Sequence, residues 1–213
     1  MTHLDLAVAI LDHAAVFVFA ATGALAAARR QHDIITFGFF GAVTGVGGGT
    51  LRDLLMGAPV FWVHRPEYLA TCLAAAATIW VFGGGKFRER ILLWLDALGL
   101  SAYAVMGAAK ALSYGLSPLA AMVMGVLTAT FGGVIRDVLD HQPSVLLRRE
   151  IYVTAALAGA AVFVVLILLK APAAIAGALG FAAAFALRTA AILFGATLPS
   201  FRPRNETPPL PPV

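Results

Sequence analysis

One pattern of residues occurs twice in this sequence, in the same order and with no gap between matched positions. Residues 47–53 read GGGTLRD, and residues 131–137 read FGGVIRD. The same offset of 84 residues, the difference between 131 and 47, aligns Asp12 with Asp96. An internal duplication therefore covers most of the chain, and the fold has to be built from two copies of one unit.

The apolar runs within each copy are long enough to cross a bilayer. Hydrophobic residues make up 61% of the chain and charged residues only 12%, which is far from the balance of a soluble domain. Alanine and leucine dominate without a period of two, which is typical of helices rather than barrel strands. We predict an all-α membrane protein with seven transmembrane helices: Leu6–Ala28, Ile34–Gly57, Tyr68–Phe82, Ile91–Leu112, Ser117–Leu139, Ile151–Leu169 and Ala173–Thr197.

Three spans in each copy predict an inverted arrangement of the two copies. An odd number of crossings makes the second copy enter the membrane from the opposite side, so that a pseudo-two-fold axis lies in the membrane plane. We place repeat one at about 6–84, repeat two at about 90–169 and the seventh helix at about 173–197, within a single transmembrane domain of residues 1–213. Residues at about 203–213 are rich in proline and are predicted to be disordered.

The distribution of lysine and arginine predicts the orientation, because these residues in short loops resist translocation. Most of them lie in loops on one side of the predicted membrane: Arg29, Arg30, Lys86, Arg88, Arg90, Arg148, Arg149, Arg202 and Arg204. The opposite side has Arg65 and Lys170, with Lys110 near a helix end. We expect a multi-pass protein of the inner (plasma) membrane with its N-terminus outside and its C-terminus in the cytoplasm. The net charge of +4 then reflects topology and indicates no nucleic-acid partner.

The glycines of the motif predict an interruption of the second and fifth spans. Gly47-Gly48-Gly49 are three poor helix formers in succession, each about 1 kcal/mol worse than alanine. A break there would free carbonyl groups near Thr44, and a break at Gly132-Gly133 would free those near Thr128. Such carbonyls suit a cation, whereas the positive end of the next half-helix near Thr50, followed by Arg52, has the opposite effect. The break alone therefore leaves the sign of the permeant species open. The triplet is not a phosphate-binding loop, because the Gly-Lys-Ser/Thr ending is absent.

Close helix packing is the alternative explanation for part of this glycine pattern. Gly41, Gly45 and Gly49 recur every four residues and lie on one helix face. Small residues at that spacing allow two transmembrane helices to approach closely.

Four charged residues within the apolar spans are predicted to form two ion pairs. Asp12 and Arg52 lie at similar depths from one membrane surface, and the duplication places Asp96 and Arg136 at similar depths from the other. Pairing would lower the cost of burying these charges in lipid.

Other charged residues within the spans require separate interpretations. Asp53 and Asp137 lie about 100° around the helix from their arginine neighbours, so we expect them to face an ion path. Arg188 has no counterpart in the duplication and is interpreted as a structural pair or a lipid contact. Lys110 is expected to extend toward the membrane surface. The five histidines show no metal-ligand spacing with a carboxylate, so no metal site is predicted.

The doubled pattern of glycines followed by Arg-Asp and a proline, on three plus three plus one spans, resembles the bacterial branch of the trimeric intracellular cation channels. The resemblance covers roughly residues 5–200. It implies a homotrimer with one ion path through each protomer, kinked second and fifth helices, and permeation of potassium and other monovalent cations. The motif positions implied to form the pore, hinge or gate are Gly47, Gly48, Gly49, Arg52, Asp53, Gly132, Gly133, Arg136 and Asp137. Phe131 stands where the first copy has Gly47, so the second break is expected to be milder.

A passive potassium channel is the function that these observations favour. Inverted repeats are equally compatible with a secondary transporter, and some relatives of this doubled domain are assigned to transport of glycine or other small solutes. A lipid-binding scaffold without any flux is a further alternative. The spans contain no arrangement of nucleophile and base, so we expect no enzyme, no catalytic residue and no cofactor. The expected partners are monovalent cations, membrane lipid and further copies of the chain.

Overall fold

The described residues, 3–83, 88–142 and 151–197 of a computed structural model, fold into eight helices. The helices are α1 (His3–Arg29), α2 (Ile34–Leu55), α3 (Phe61–His64), α4 (Glu67–Phe82), α5 (Arg88–Ser113), α6 (Pro118–Leu139), α7 (Val153–Leu168) and α8 (Ala173–Phe194). The all-α prediction is confirmed. Lys86, Arg148, Arg149, Arg202, Arg204 and the predicted disordered tail lie outside the described residues.

Each of the seven predicted spans coincides with one helix, but the helices differ in length. Within the described part of the chain, α1, α2, α5, α6 and α8 are long and apolar enough to cross a membrane. The apolar helices α4 and α7 have 16 residues each, which corresponds to about 24 Å of rise against a hydrocarbon thickness of about 30 Å. Five crossings therefore meet the length criterion, and seven crossings stay a prediction.

Polar side chains define where α2 and α6 begin. Asp33 precedes α2, and its carboxylate accepts a hydrogen bond of 2.8 Å from the backbone N–H of Thr36. This bond stabilises the charged form and lowers the pKa of Asp33 below its ordinary value. Ser117 precedes α6 and accepts a bond from the N–H of Ala120, while Pro118 occupies the first turn. Both long central helices therefore start at an N-cap that the sequence encodes locally.

The predicted break within the second and fifth spans is wrong. Both α2 and α6 are helical throughout, including Gly47–Gly49 and Gly132-Gly133. Packing accounts for the glycines, because a Cβ atom on Gly48 would overlap the carbonyl oxygen of Thr128. The low helix propensity of glycine is therefore outweighed by the close approach that it permits. A bend without an interruption stays a prediction.

The crossing of α2 and α6 has the same contacts in both copies of the duplicated pattern. A Cβ atom on Gly132 would overlap the carbonyl oxygen of Thr44, which mirrors the contact of Gly48 with Thr128. Both threonines are 1% exposed. The expected cation-binding carbonyls near Thr44 and Thr128 are thus occupied by helix packing at this crossing.

Candidate functional site

Two clusters of charged and tyrosine side chains lie within the helix bundle, one for each copy of the motif. The Arg52 cluster consists of Asp12, Arg52, Asp53, Tyr68 and Lys110. The Arg136 cluster consists of Asp96, Arg136, Asp137, Tyr152 and Arg188. Four members of each cluster are related by the offset of 84 residues, whereas Lys110 and Arg188 are not.

Asp53 is the centre of the Arg52 cluster. Its Oδ1 atom accepts a hydrogen bond of 2.8 Å from Nε of Arg52, and Nη2 of Arg52 lies 2.8 Å from the same oxygen. The ammonium of Lys110 lies 2.8 and 2.9 Å from the two carboxylate oxygens. The backbone N–H of Phe61 donates a further bond of 3.1 Å to Oδ2. Asp53 has 0% of its side chain exposed and shares its one negative charge between two cations, so it does not face an open path in this structure, which corrects the prediction.

Lys110 has a partner that the sequence did not indicate. Its ammonium binds the buried Asp53 carboxylate, and its extension toward the membrane surface stays a prediction. The side chain is 27% exposed, and the ammonium lies 5.9 Å from the centre of the Phe61 ring. Phe61 belongs to the short helix α3, which the sequence analysis missed because α3 comprises only four residues.

Asp12 has a different partner from the one predicted. Its carboxylate accepts a hydrogen bond from the hydroxyl of Tyr68, and no ion pair joins Asp12 to Arg52 in the described part of the chain. The Tyr68 ring stacks on His13 with the centroids 4.3 Å apart, and Phe61 meets its edge at 4.8 Å. These aromatic contacts hold the tyrosine hydroxyl at Asp12, while Arg52 folds back onto the adjacent Asp53.

The Arg136 cluster contains the predicted pair with Asp96. Nη1 of Arg136 lies 2.8 Å from Oδ1 of Asp96 and donates a bond of 3.0 Å to Thr22. Nε of Arg136 binds Oδ1 of Asp137 at 2.9 Å, so this pair of neighbours also folds together. Arg136 and Asp137 are 2% and 5% exposed. The expectation that Asp137 faces an open path is therefore wrong as well.

Arg188 is a buried structural residue rather than a lipid contact. It is 2% exposed, and its guanidinium carbon lies 5.0 Å from the centre of the Tyr152 ring. Its Nη1 atom donates a bond of 3.4 Å to the carbonyl of Ile151. The last helix, α8, thereby contributes a cation to a cluster that otherwise comes from the duplicated part of the chain.

A cavity of about 240 Å³ opens beside the Arg52 cluster. Its lining includes the charged residues Asp12, Arg52, Arg65 and Lys110, together with Gly49, Phe61, Tyr68, Tyr103 and Met106. Arg65 is largely exposed and lies 3.8 Å from Glu67. Neither Thr44 nor Asp53 belongs to this lining. The cavity therefore presents basic side chains, one carboxylate and aromatic rings, a combination suited to a small polar or charged solute.

A further group of ion pairs, which the sequence analysis did not predict, joins the end of α1 to the residue after α6. Asp140, whose side chain is 0% exposed, binds both Arg29 and Arg30 at the end of α1. Nε of Arg30 lies 3.0 Å from Oδ1, and Nη2 donates a bond of 2.6 Å to the Asp140 carbonyl. The two arginines were considered only as determinants of orientation. The sequence did contain a signal for this contact, because the acidic residue Asp140 directly follows the fifth predicted span and could serve as a partner for the two arginines.

Among the described residues, no group of three or more histidine, cysteine or acidic side chains could hold a metal ion. The single cysteine, Cys72, is buried, and its Sγ atom lies close to the position that a side chain on Gly45 would take.

Known proteins resemble this chain over most of its length. A family model described as a glycine transporter matches twice, over residues 9–84 and 93–168. The inner membrane protein YadS of Escherichia coli is 38% identical over 152 residues, which is 70% of this chain and 73% of YadS. A membrane protein of Vibrio cholerae is 37% identical over 155 residues, and the match spans 70% of this chain but 64% of that relative.

A solved structure extends the resemblance to the fold. The trimeric intracellular cation channel orthologue from Rhodobacter sphaeroides is 52% identical, with a TM-score of 0.85 over 88% of this chain and 97% of that chain. Together with the helices described above, these matches show that the chain is an all-helical membrane protein. It belongs to the family of the trimeric intracellular cation channels, and two stretches of it match the glycine transporter model.

Proposed function

We propose that this chain forms a passive channel for monovalent cations, with potassium as the main ion and one path through each protomer of a homotrimer. The observation that carries the proposal is the pair of buried Arg-Asp clusters on the crossing helices α2 and α6, one of which adjoins a cavity. The similarity to the trimeric intracellular cation channel orthologue from Rhodobacter sphaeroides supports the same function. The path is taken to run along α2 and α6, past Gly47–Gly49 and Gly132-Gly133.

The membrane arrangement that goes with this function is two inverted repeats and a seventh crossing in the inner membrane. The family model matches twice, and the helices α4 and α7 are both short and lie at equivalent places in the two matches. Three crossings in each repeat would relate the Arg52 and Arg136 clusters by a pseudo-two-fold axis in the membrane plane. The basic loops place the N-terminus outside and the C-terminus in the cytoplasm.

A cation can pass the two clusters only if carboxylates offset the charge of their arginines. Asp53 offsets Arg52 and Lys110 in part, whereas Arg136 lies between Asp96 and Asp137. We infer that these charged groups control the opening of the path, and that a permeating cation is attracted by the Asp12 carboxylate, which lines the cavity. Thr44 and Thr128 then fix the spacing of α2 and α6 rather than coordinate the ion.

Reversal potentials in planar bilayers test this function. Under a potassium chloride gradient, purified protein should give a reversal potential that moves toward the potassium equilibrium value. Asp12→Asn should weaken the cation preference, because it removes a negative charge from the cavity lining with little change in volume. Tyr68→Phe is the matched control, since it removes the hydrogen bond to Asp12 and keeps the charge.

Two outcomes would reject the channel. A reversal potential near the chloride value would contradict the cation preference. Absence of current together with saturable uptake of glycine by liposomes would instead favour the secondary transporter.

A further inference from the structure

The cavity beside Arg52 has an excess of positive charge on its walls. Three cationic side chains and one carboxylate line it: Arg52, Arg65, Lys110 and Asp12. Asp53 lies behind the wall and offsets one cation. Glu67 is 3.8 Å from Arg65, but both side chains are more than half exposed, so solvent weakens that pair. A cation that approaches Asp12 through this cavity therefore also meets repulsion from the three basic side chains, which a bound anion would reduce.

The guanidinium of Arg52 retains hydrogen-bonding capacity on the cavity side. Its Nε and Nη2 atoms both bind the same oxygen of Asp53. Among the described residues, no group accepts a hydrogen bond from its Nη1 atom, although Arg52 is only 6% exposed. Arg136 differs, since its Nη1 atom binds both Asp96 and Thr22. Protein groups thus accept the hydrogen bonds of Nη1 in Arg136, whereas Nη1 of Arg52 has no such acceptor among the described residues.

We propose that the cavity binds a small monovalent anion on Nη1 of Arg52, with Lys110 and Arg65 supplying further positive charge. A buried guanidinium with an open donor, next to two more exposed cations, favours an anion over a neutral solute. Nε and one N–H of Nη2 are engaged with Asp53, so the edge formed by Nη1 and the second N–H of Nη2 is the one left for an anion. That edge suits a halide or a small carboxylate, so chloride and formate are both expected to bind. Binding does not depend on the proposed channel function, although a bound anion would offset the repulsion that a cation meets here.

Anion-dependent stability of the purified full-length protein tests the proposal. The unfolding temperature in detergent is measured while potassium chloride replaces potassium lactobionate at constant potassium concentration and ionic strength. Lactobionate is a disaccharide acid that is too large for the cavity. Chloride should raise the unfolding temperature by a few degrees in a saturable way, because a ligand that binds only the folded state stabilises it. Formate should also raise the unfolding temperature in a saturable way, and crystals with bromide should place the ion at Arg52.

Three variants locate the effect in the cavity. Arg52→Gln should abolish the chloride dependence, and Arg65→Gln should weaken it at least severalfold. Arg65 is largely exposed, so its replacement keeps the test valid if Arg52→Gln does not fold. Arg30→Gln is the matched control: it removes a cation that binds Asp140 elsewhere, and its chloride dependence should equal that of the unmodified protein.

Three results would overturn the proposal. The first is the absence of any saturable chloride effect. The second is an effect that is unchanged in both the Arg52→Gln and Arg65→Gln variants. The third is stabilisation by glycine without stabilisation by chloride, which would indicate a site for a zwitterion. The channel proposal is measured separately by current and would stand under each of these results.

Discussion

Arg52 and Asp53 are neighbours in the sequence, and their side chains still bind each other inside the bundle. Successive residues point about 100° apart on a helix, but the arginine side chain is long enough to fold back around the helix to the carboxylate. Arg136 and Asp137 do the same. At this scale, an Arg-Asp dipeptide in a transmembrane helix forms a neutral unit whose remaining contacts depend on its surroundings.

Removal of the Asp53 charge should strongly destabilise the fold. Asp53→Asn leaves Arg52 and Lys110 without their shared counterion in a buried place, and a loss of about 3 kcal/mol in the free energy of unfolding is expected. Chemical unfolding in detergent measures this loss. The control is Glu67→Gln, which breaks an exposed pair at 3.8 Å and should cost less than about 1 kcal/mol. Equal small effects of the two substitutions would show that Asp53 does not hold the cluster together.

At the scale of secondary structure, glycines set how closely α2 and α6 approach each other where they cross. Gly48 and Gly132 each face the backbone carbonyl of a threonine on the other helix, which leaves no space for a side chain. Gly45 and Gly49 face α4 and α3 instead, with positions for a Cβ atom 2.8 Å from Cys72 Sγ and 2.6 Å from the Phe61 ring. The glycines of α2 thus serve contacts on more than one side of the helix.

Substitution of Gly48 by alanine should separate the two crossing helices. Overlap with the Thr128 carbonyl requires a backbone shift, so Gly48→Ala is expected to destabilise by about 1–3 kcal/mol and to reduce flux. Gly38→Ala is the control in the same helix, because its Cβ atom would meet only the end of the flexible Leu73 side chain at 3.3 Å. Its effect should stay within about 1 kcal/mol of neutral, since alanine favours helix. Unfolding and liposome flux measure both variants, and equal effects would contradict the packing explanation.

In the whole molecule, each of the two charged clusters receives one cation from outside the duplicated pattern. Lys110 from α5 binds Asp53 on α2, and Arg188 from α8 contacts Tyr152. The two copies therefore share the Arg-Asp motif but differ in their added charges. The cavity described above adjoins the Arg52 cluster, and Lys110 is part of its lining.

Cysteine labelling tests the orientation of the whole molecule. Cys72→Ser provides the background, because Cys72 is the single cysteine of the chain. In intact cells, a membrane-impermeant reagent should label a cysteine at Pro66, which is exposed between α3 and α4. A cysteine at Lys86 should react only after the membrane is opened. Labelling of both positions in intact cells would contradict the inverted arrangement.

The sequence by itself determined the membrane environment, the helical class, the ends of the long helices and the duplicated motif. These features depend on local composition, on apolar length and on residues within a few positions of each other. Only the tertiary structure decided the partners of the charged groups. Lys110 meets Asp53 across 57 positions and Arg30 meets Asp140 across 110, so a choice among several carboxylates was open until the helices were packed. The tertiary structure also decided that α2 is continuous. Gly48 is needed there because the backbone carbonyl of Thr128, on another helix, occupies the place of a side chain.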